Sequence, residues 1–138
     1  DYVKDYLFDE ELLCVSEDGA NLIARTYPIA FPITGKTWVN NHAHVLRFKN
    51  SATPKIVQDY LNSIDLQDFI TGIAQPKLNR AMLDRIPVPL PDVEEGKKLA
   101  GFLFATDSYL AGVSGVLDSL ITHKNGLIQQ LFPSQEEA

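Results

Sequence analysis

The pattern of apolar and polar positions changes twice along the chain. Between residues 11 and 49 short apolar runs alternate with turn-forming residues. Leu12-Leu13-Cys14-Val15 reads as a buried strand stopped by the turn composition Ser16-Glu17-Asp18-Gly19. Leu22-Ile23-Ala24 reads as a second strand. Pro28 and Pro32 flank Ile29-Ala30-Phe31, which suits an edge strand or a loop because proline cannot donate to a ladder. Thr34-Gly35-Lys36 is a hairpin-like break. Trp38-Val39 and Val45-Leu46-Arg47-Phe48 follow as strands, enriched in β-branched and aromatic residues.

Helical spacing takes over at residue 53. Thr53 is placed to cap, Pro54 suits the first helical position, and Ile56, Val57, Tyr60, Leu61 and Ile64 recur at three- and four-residue steps. A break near Ser63-Ile64-Asp65 precedes Leu66, Phe69 and Ile70, which continue the apolar face. Residues 71–92 form a connector with a short helical turn at 80–85. It ends in Ile86-Pro87-Val88-Pro89-Leu90-Pro91, whose alternate prolines hold the backbone extended.

From Asp92, with Glu95 three residues on, one long helix is expected up to Pro133. Leu103, Leu110, Leu117, Lys124 and Leu131 fall seven apart, and Val113, Leu120 and Leu127 fall three after their predecessors. These leucines and valine form a helix-pairing seam, with Lys124 breaking the apolar row once. Ile121 and Ile128 widen the stripe. Gly112 and Gly115 cost about 1 kcal/mol each in helix propensity, which points to close approach of a neighbour. The fold class is therefore α+β: a small mixed β-sheet with helices over residues 1–91, then a long C-terminal coiled-coil-type helix and tail over 92–138.

Composition narrows the picture. With 45% hydrophobic and 22% charged residues, the 138-residue chain can build a core and is not of disordered type. No apolar run approaches the roughly 18–20 residues of a membrane span, and the opening residues lack the character of a signal peptide. A single cysteine, Cys14, forms no internal disulfide, so a cytoplasmic protein with no membrane association is expected. The chain lacks an initiator Met and opens inside a patterned segment, which suggests a fragment or a half-subunit. Net charge is −6, yet it is unevenly spread: −6 over residues 1–18, +3 over 19–93 and −3 over 94–138. A mildly basic middle permits nucleic-acid binding without requiring it.

Candidate chemistry is sparse. His42 and His44 have metal-ligand spacing, but His123 and Cys14 are poorly placed to complete a site, so hydrogen-bonded or DNA-facing histidines are expected and no metal. A metal-dependent enzyme built on this pair is the weakest of the readings. Glu17-Asp18 reads as a solvated turn. No catalytic triad, phosphate loop or nucleophile elbow can be placed, so no catalytic residue is assigned. Asn40-Asn41-His42 and Gln75-Pro76-Lys77-Leu78-Asn79-Arg80 are loops dense in groups that hydrogen-bond base edges or phosphates; turn formation and helix capping explain each equally well.

The order of four segments carries a resemblance. Residues 16–22 (Ser-Glu-Asp-Gly-Ala-Asn-Leu), 38–46 (Trp-Val-Asn-Asn-His-Ala-His-Val-Leu), 72–79 (Gly-Ile-Ala-Gln-Pro-Lys-Leu-Asn) and 86–91 with Glu94-Glu95 resemble the DNA-specificity subunits of type I restriction–modification systems. Residues 120–132 resemble the close of that family's spacer helix. The resemblance implies a target-recognition domain at 1–91, lacking its N-terminal part, and a spacer helix from 92.

It further implies sequence-specific recognition of double-stranded DNA, with methyltransferase and restriction subunits as partners. Self-association, or pairing with a second specificity half, would run through the spacer helix. S-adenosylmethionine and ATP are expected on the partner subunits only; this chain has no cofactor and is not itself an enzyme. Arg25, Lys36, Asn40, Asn41, Gln75, Lys77, Asn79 and Arg80 are the expected DNA contacts, lysines on phosphates and amides and arginines on bases. Where the family usually has Gln, this chain has Gly96. The alternative is a non-DNA assembly module whose heptads recruit a protein partner.

Overall fold

The computed structural model describes residues 4–72 and 74–132. Asp1–Val3, Ile73, Pro133 and the tail to Ala138 lie outside the described residues, as does the expected helix stop at Pro133. The chain divides into two compact units, Asp1–Gly101 and Phe102–Ala138. The architecture is α+β.

The apolar run at residues 12–15 forms the central strand of the first unit. Strand β1 (Phe8–Asp9) is followed by β2 (Leu12–Ser16), β3 (Ala30–Ile33), β4 (Lys36–Thr37) and β5 (Ala43–Leu46). β2 lies between β3 and β5 in one sheet, while β1 and β4 make a two-stranded ribbon. All these pairings are antiparallel. A strand flanked on both sides is shielded, and Leu12 to Val15 are all buried. β3 is an edge strand, as its Pro32 requires. Its outer edge is not left bare: Asn62 accepts from the Ile29 and Ala30 N–H groups (2.9 and 3.0 Å) and donates to the Ala30 carbonyl at 2.8 Å.

Residues 22–24 are not a strand. They belong to a helical turn, α1 (Asn21–Ala24), in which Leu22 is buried and Ile23 exposed. Asn21 is the cause: its Oδ1 accepts from the Thr26 and Tyr27 N–H groups and its Nδ2 donates to the Tyr27 carbonyl, folding the segment back on itself. Trp38-Val39 also falls outside a strand, the pairing being made by Lys36 and Thr37.

Helix α2 (Thr53–Ser63) buries Ile56, Val57 and Leu61. Asn50, not Thr53, caps it, accepting from the Ala52 and Thr53 N–H groups. After a 3-10 turn at Gln67–Phe69 and the short helix α3 (Arg80–Leu83), α4 runs from Val93 to Leu131. Asp92 caps it as expected, accepting from the N–H groups of Glu94 and Glu95 at 2.9 Å. Leu13, Val15, Leu22, Ile29, Leu61 and Leu78 are at the centre of the core, with Leu66 after α2 and Leu83 and Ile86 from the connector closing it. Within this unit Gly96 and Ala100 of α4 are buried; a Cβ on Gly96 would stand 3.6 Å from Pro91 Cγ and 3.7 Å from Ile56 Cδ1.

Candidate nucleic-acid interface

Three loops that are far apart in sequence converge beside β5. The Glu17 N–H donates to the His42 carbonyl (2.8 Å), the Leu78 N–H to the Glu17 carbonyl (2.7 Å), and the Gly19 N–H to the Pro76 carbonyl (3.1 Å). Thr71 and Lys77 exchange backbone hydrogen bonds of 2.9 and 2.8 Å, closing the 71–77 loop on itself. Gly72 is needed there: its φ is +84°, and a Cβ would lie 2.5 Å from the Gln75 carbonyl oxygen.

Side chains lock the same corner. His42 Nδ1 is 2.8 Å from Asp18 Oδ2, and the buried His44 places Nε2 2.7 Å from the Leu78 carbonyl, so that nitrogen carries a proton. Lys77 Nζ lies 3.0 Å from Glu17 Oε1. The hydrogen bond and charge of Glu17, with Asp18 adding to them, hold the Lys77 ammonium above its ordinary pKa. Glu17 and Asp18 are therefore not a solvated turn: both are half-buried and act as anchors for the facing loops. Sequence alone gave no sign of this, because the carboxylates' partners lie more than twenty residues away.

The eight expected DNA contacts separate into two groups. Asn40, Asn41, Gln75, Lys77 and Arg80 are exposed in or beside the converged loops, and Lys36 is exposed on β4. Asn40 uses only its Oδ1, accepting from the His42 N–H at 3.0 Å. Arg80 is held by Asp84 one turn on, at 2.8 Å. Arg25 and Asn79 are spent on backbone. Arg25 has a left-handed backbone (φ 53°), and its guanidinium donates to the Leu61 and Ile64 carbonyls at the end of α2. Asn79 caps α3, accepting from the Met82 N–H at 3.1 Å.

In the second unit, Leu110, Val113, Leu117, Leu120, Leu127 and Leu131 are all exposed and Leu103 is half-buried. The hydroxyls of Thr106, Ser108 and Ser119 donate to carbonyls one turn back, so they need no outside acceptor. At Gly112 nothing stands within 4 Å of where a Cβ would be, so the helix face is open there. Contrary to the reading of the apolar runs, α4 is long and apolar enough to cross a membrane by length and composition. Scattered serines, threonines and glycines conceal this when the eye looks for an unbroken run.

Residues 1–114 match the family described as the type I restriction modification DNA specificity domain. A protein of Haemophilus influenzae named as a type I restriction enzyme specificity subunit is 31% identical over 105 residues, covering 76% of this chain and 27% of that protein. No solved structure matches. The chain belongs to the type I DNA specificity family, and it spans about a quarter of the length of that relative.

Proposed function

We propose that the first unit reads double-stranded DNA and that α4 couples this reading to methyltransferase and restriction subunits. The observation that supports the proposal is the convergence of the 16–19, 40–42 and 71–80 loops, which carry the exposed side chains of Asn40, Asn41, Gln75 and Lys77. Amides read adenine edges, lysines hold phosphates, and rigid loops keep both in register. Arg80 and Lys36 supply further cationic groups, while Arg25 and Asn79 position the elements that carry the readers. Chemistry belongs to the partners, which would bring S-adenosylmethionine and ATP; the setting is the cytoplasm.

The heptad stripe of α4 supports pairing with a second helix, from another copy or from a second specificity half. Its leucines are each worth roughly 1.5–3 kcal/mol when buried, and the open backbone at Gly112 suits the close approach of a facing helix. An assembly module that ignores DNA is favoured by the neutralisation of Lys77 by Glu17.

Affinity for duplex DNA measured against salt separates these readings. Lys77→Ala and Arg80→Ala should each flatten the log–log slope by about 0.9, the loss of one phosphate contact. Unchanged slopes in both would remove this corner from the interface, and absence of DNA binding would favour the assembly module.

A further inference from the structure

The outer face of the three-stranded sheet carries a second feature, distinct from the converged loops. On β2 the side chains of Leu13 and Val15 enter the core, so Cys14, paired across to Phe31 and Val45, belongs to the opposite face. Over that face lies an open cleft of about 630 Å³. Its walls include Tyr6, Phe31 and Trp38, all substantially exposed at 50%, 40% and 54%. Three exposed aromatic rings around one cleft are costly to leave in water, which marks the place as a binding surface.

The polar groups around the cleft define its occupant. Lys36 Nζ stands 5.0 Å from the centre of the Tyr6 ring, and Lys4 adds a second ammonium, so the two cations outnumber the one carboxylate of the lining, Asp5. Asn40 has its Oδ1 committed to His42, leaving its amide N–H groups to donate. Thr37 has a buried hydroxyl with no hydrogen-bond partner among the described residues. Cationic groups beside stacking rings, with a few hydrogen-bonding groups between them, match an unpaired nucleobase with its flanking phosphates. An apolar peptide would leave the ammonium groups and the Asn40 amide N–H groups without use.

We infer that this cleft receives one unstacked base of bound DNA, stacked against Trp38 and Phe31 with its edge toward Asn40. The inference rests on the DNA-recognition reading but adds to it a site that pairs with no converged-loop residue except the shared Asn40. A base leaving the duplex loses stacking and pairing, and the aromatic walls return part of that loss.

Trp38 is the only tryptophan in the chain, so its emission reports on the cleft alone. The test uses the full chain with a duplex carrying one unpaired adenosine and the same duplex fully paired. Binding is followed by DNA anisotropy and occupancy by Trp38 emission. The unpaired duplex should bind roughly tenfold tighter and quench Trp38. Trp38→Ala should remove the preference and Trp38→Phe should retain most of it, circular dichroism confirming that both fold. Equal affinity for the two duplexes with Trp38 emission unchanged would overturn the cleft assignment while leaving DNA recognition standing. Failure to bind either duplex would overturn both. Concentration-dependent quenching without DNA would overturn it in favour of a second copy of the chain.

Discussion

The two units of this chain treat their side chains in opposite ways. In the first, polar groups that could not stand alone are matched: Asn62 satisfies three backbone groups, Arg25 closes the end of α2, and His44 meets the Leu78 carbonyl. Its core leucines, isoleucines and valines are buried around Leu13, Leu61 and Leu78, while Tyr6, Phe31 and Trp38 stay exposed at the cleft. In the second, the hydroxyls of Thr106, Ser108 and Ser119 are satisfied within the helix while leucines from 110 to 131 stand in water. The first unit is specified by its own contacts. The second is specified for contacts that something else must provide, since an apolar stripe of this length is unfavourable in water.

That contrast can be broken most forcefully at the seam. Leu117→Asp with Leu120→Asp places two charges where two leucines would be buried, each worth roughly 1.5–3 kcal/mol. Self-association or partner binding, read by sedimentation, should weaken by more than about a hundredfold. The thermal midpoint of the globular unit should not move. A wild-type chain that is monomeric and also ignores methyltransferase subunits would show that the stripe is covered otherwise; partition into lipid vesicles would assign it to a membrane.

The reciprocal change is Asn62→Ala. It leaves the Ile29 and Ala30 N–H groups and the Ala30 carbonyl without partners at the β3 edge and should cost about 1–3 kcal/mol of unfolding free energy. Denaturant titration should register this loss with helix association unchanged. An unaffected midpoint would mean that water replaces Asn62 at no cost.

The sequence disclosed what depends on local pattern. The buried run at residues 12–15, the edge character imposed by Pro32, the Asp92 cap and the α4 heptads are all set by neighbours within a few residues. It concealed what depends on distant partners. Leu22-Ile23-Ala24 has strand composition, but Asn21 turns it through hydrogen bonds to Thr26 and Tyr27. Glu17 and Asp18 have turn composition but are anchored by Lys77 and His42. Arg25 reads as a free cation until α2 arrives to accept from it. The loop positions of Asn40, Asn41 and Gln75 were legible in the sequence, whereas the aromatic cleft arises only when Tyr6, Phe31 and Trp38 are folded together.

The smallest expected effect concerns Glu10 and Arg47, paired at 2.7 Å on the exposed surface. The hydrogen bond from Arg47 holds the Glu10 carboxyl below its ordinary pKa. A depressed carboxyl pKa adds stability above the unfolded value, and that stability is lost as pH falls through the folded value. Solvent screening of this surface pair keeps the contribution slight. Arg47→Ala should therefore shift the thermal midpoint barely, if measurably, at neutral pH. Any difference should vanish in acid once Glu10 is protonated, and a difference that grows there would contradict this assignment.

We propose that this chain tells partner enzymes which DNA to modify. Mapping methylated sites across the genome of the host, with and without the gene, tests it directly. The account predicts that one methylated sequence motif disappears when the gene is removed and returns with its re-expression. An unchanged set of methylated sites would contradict it.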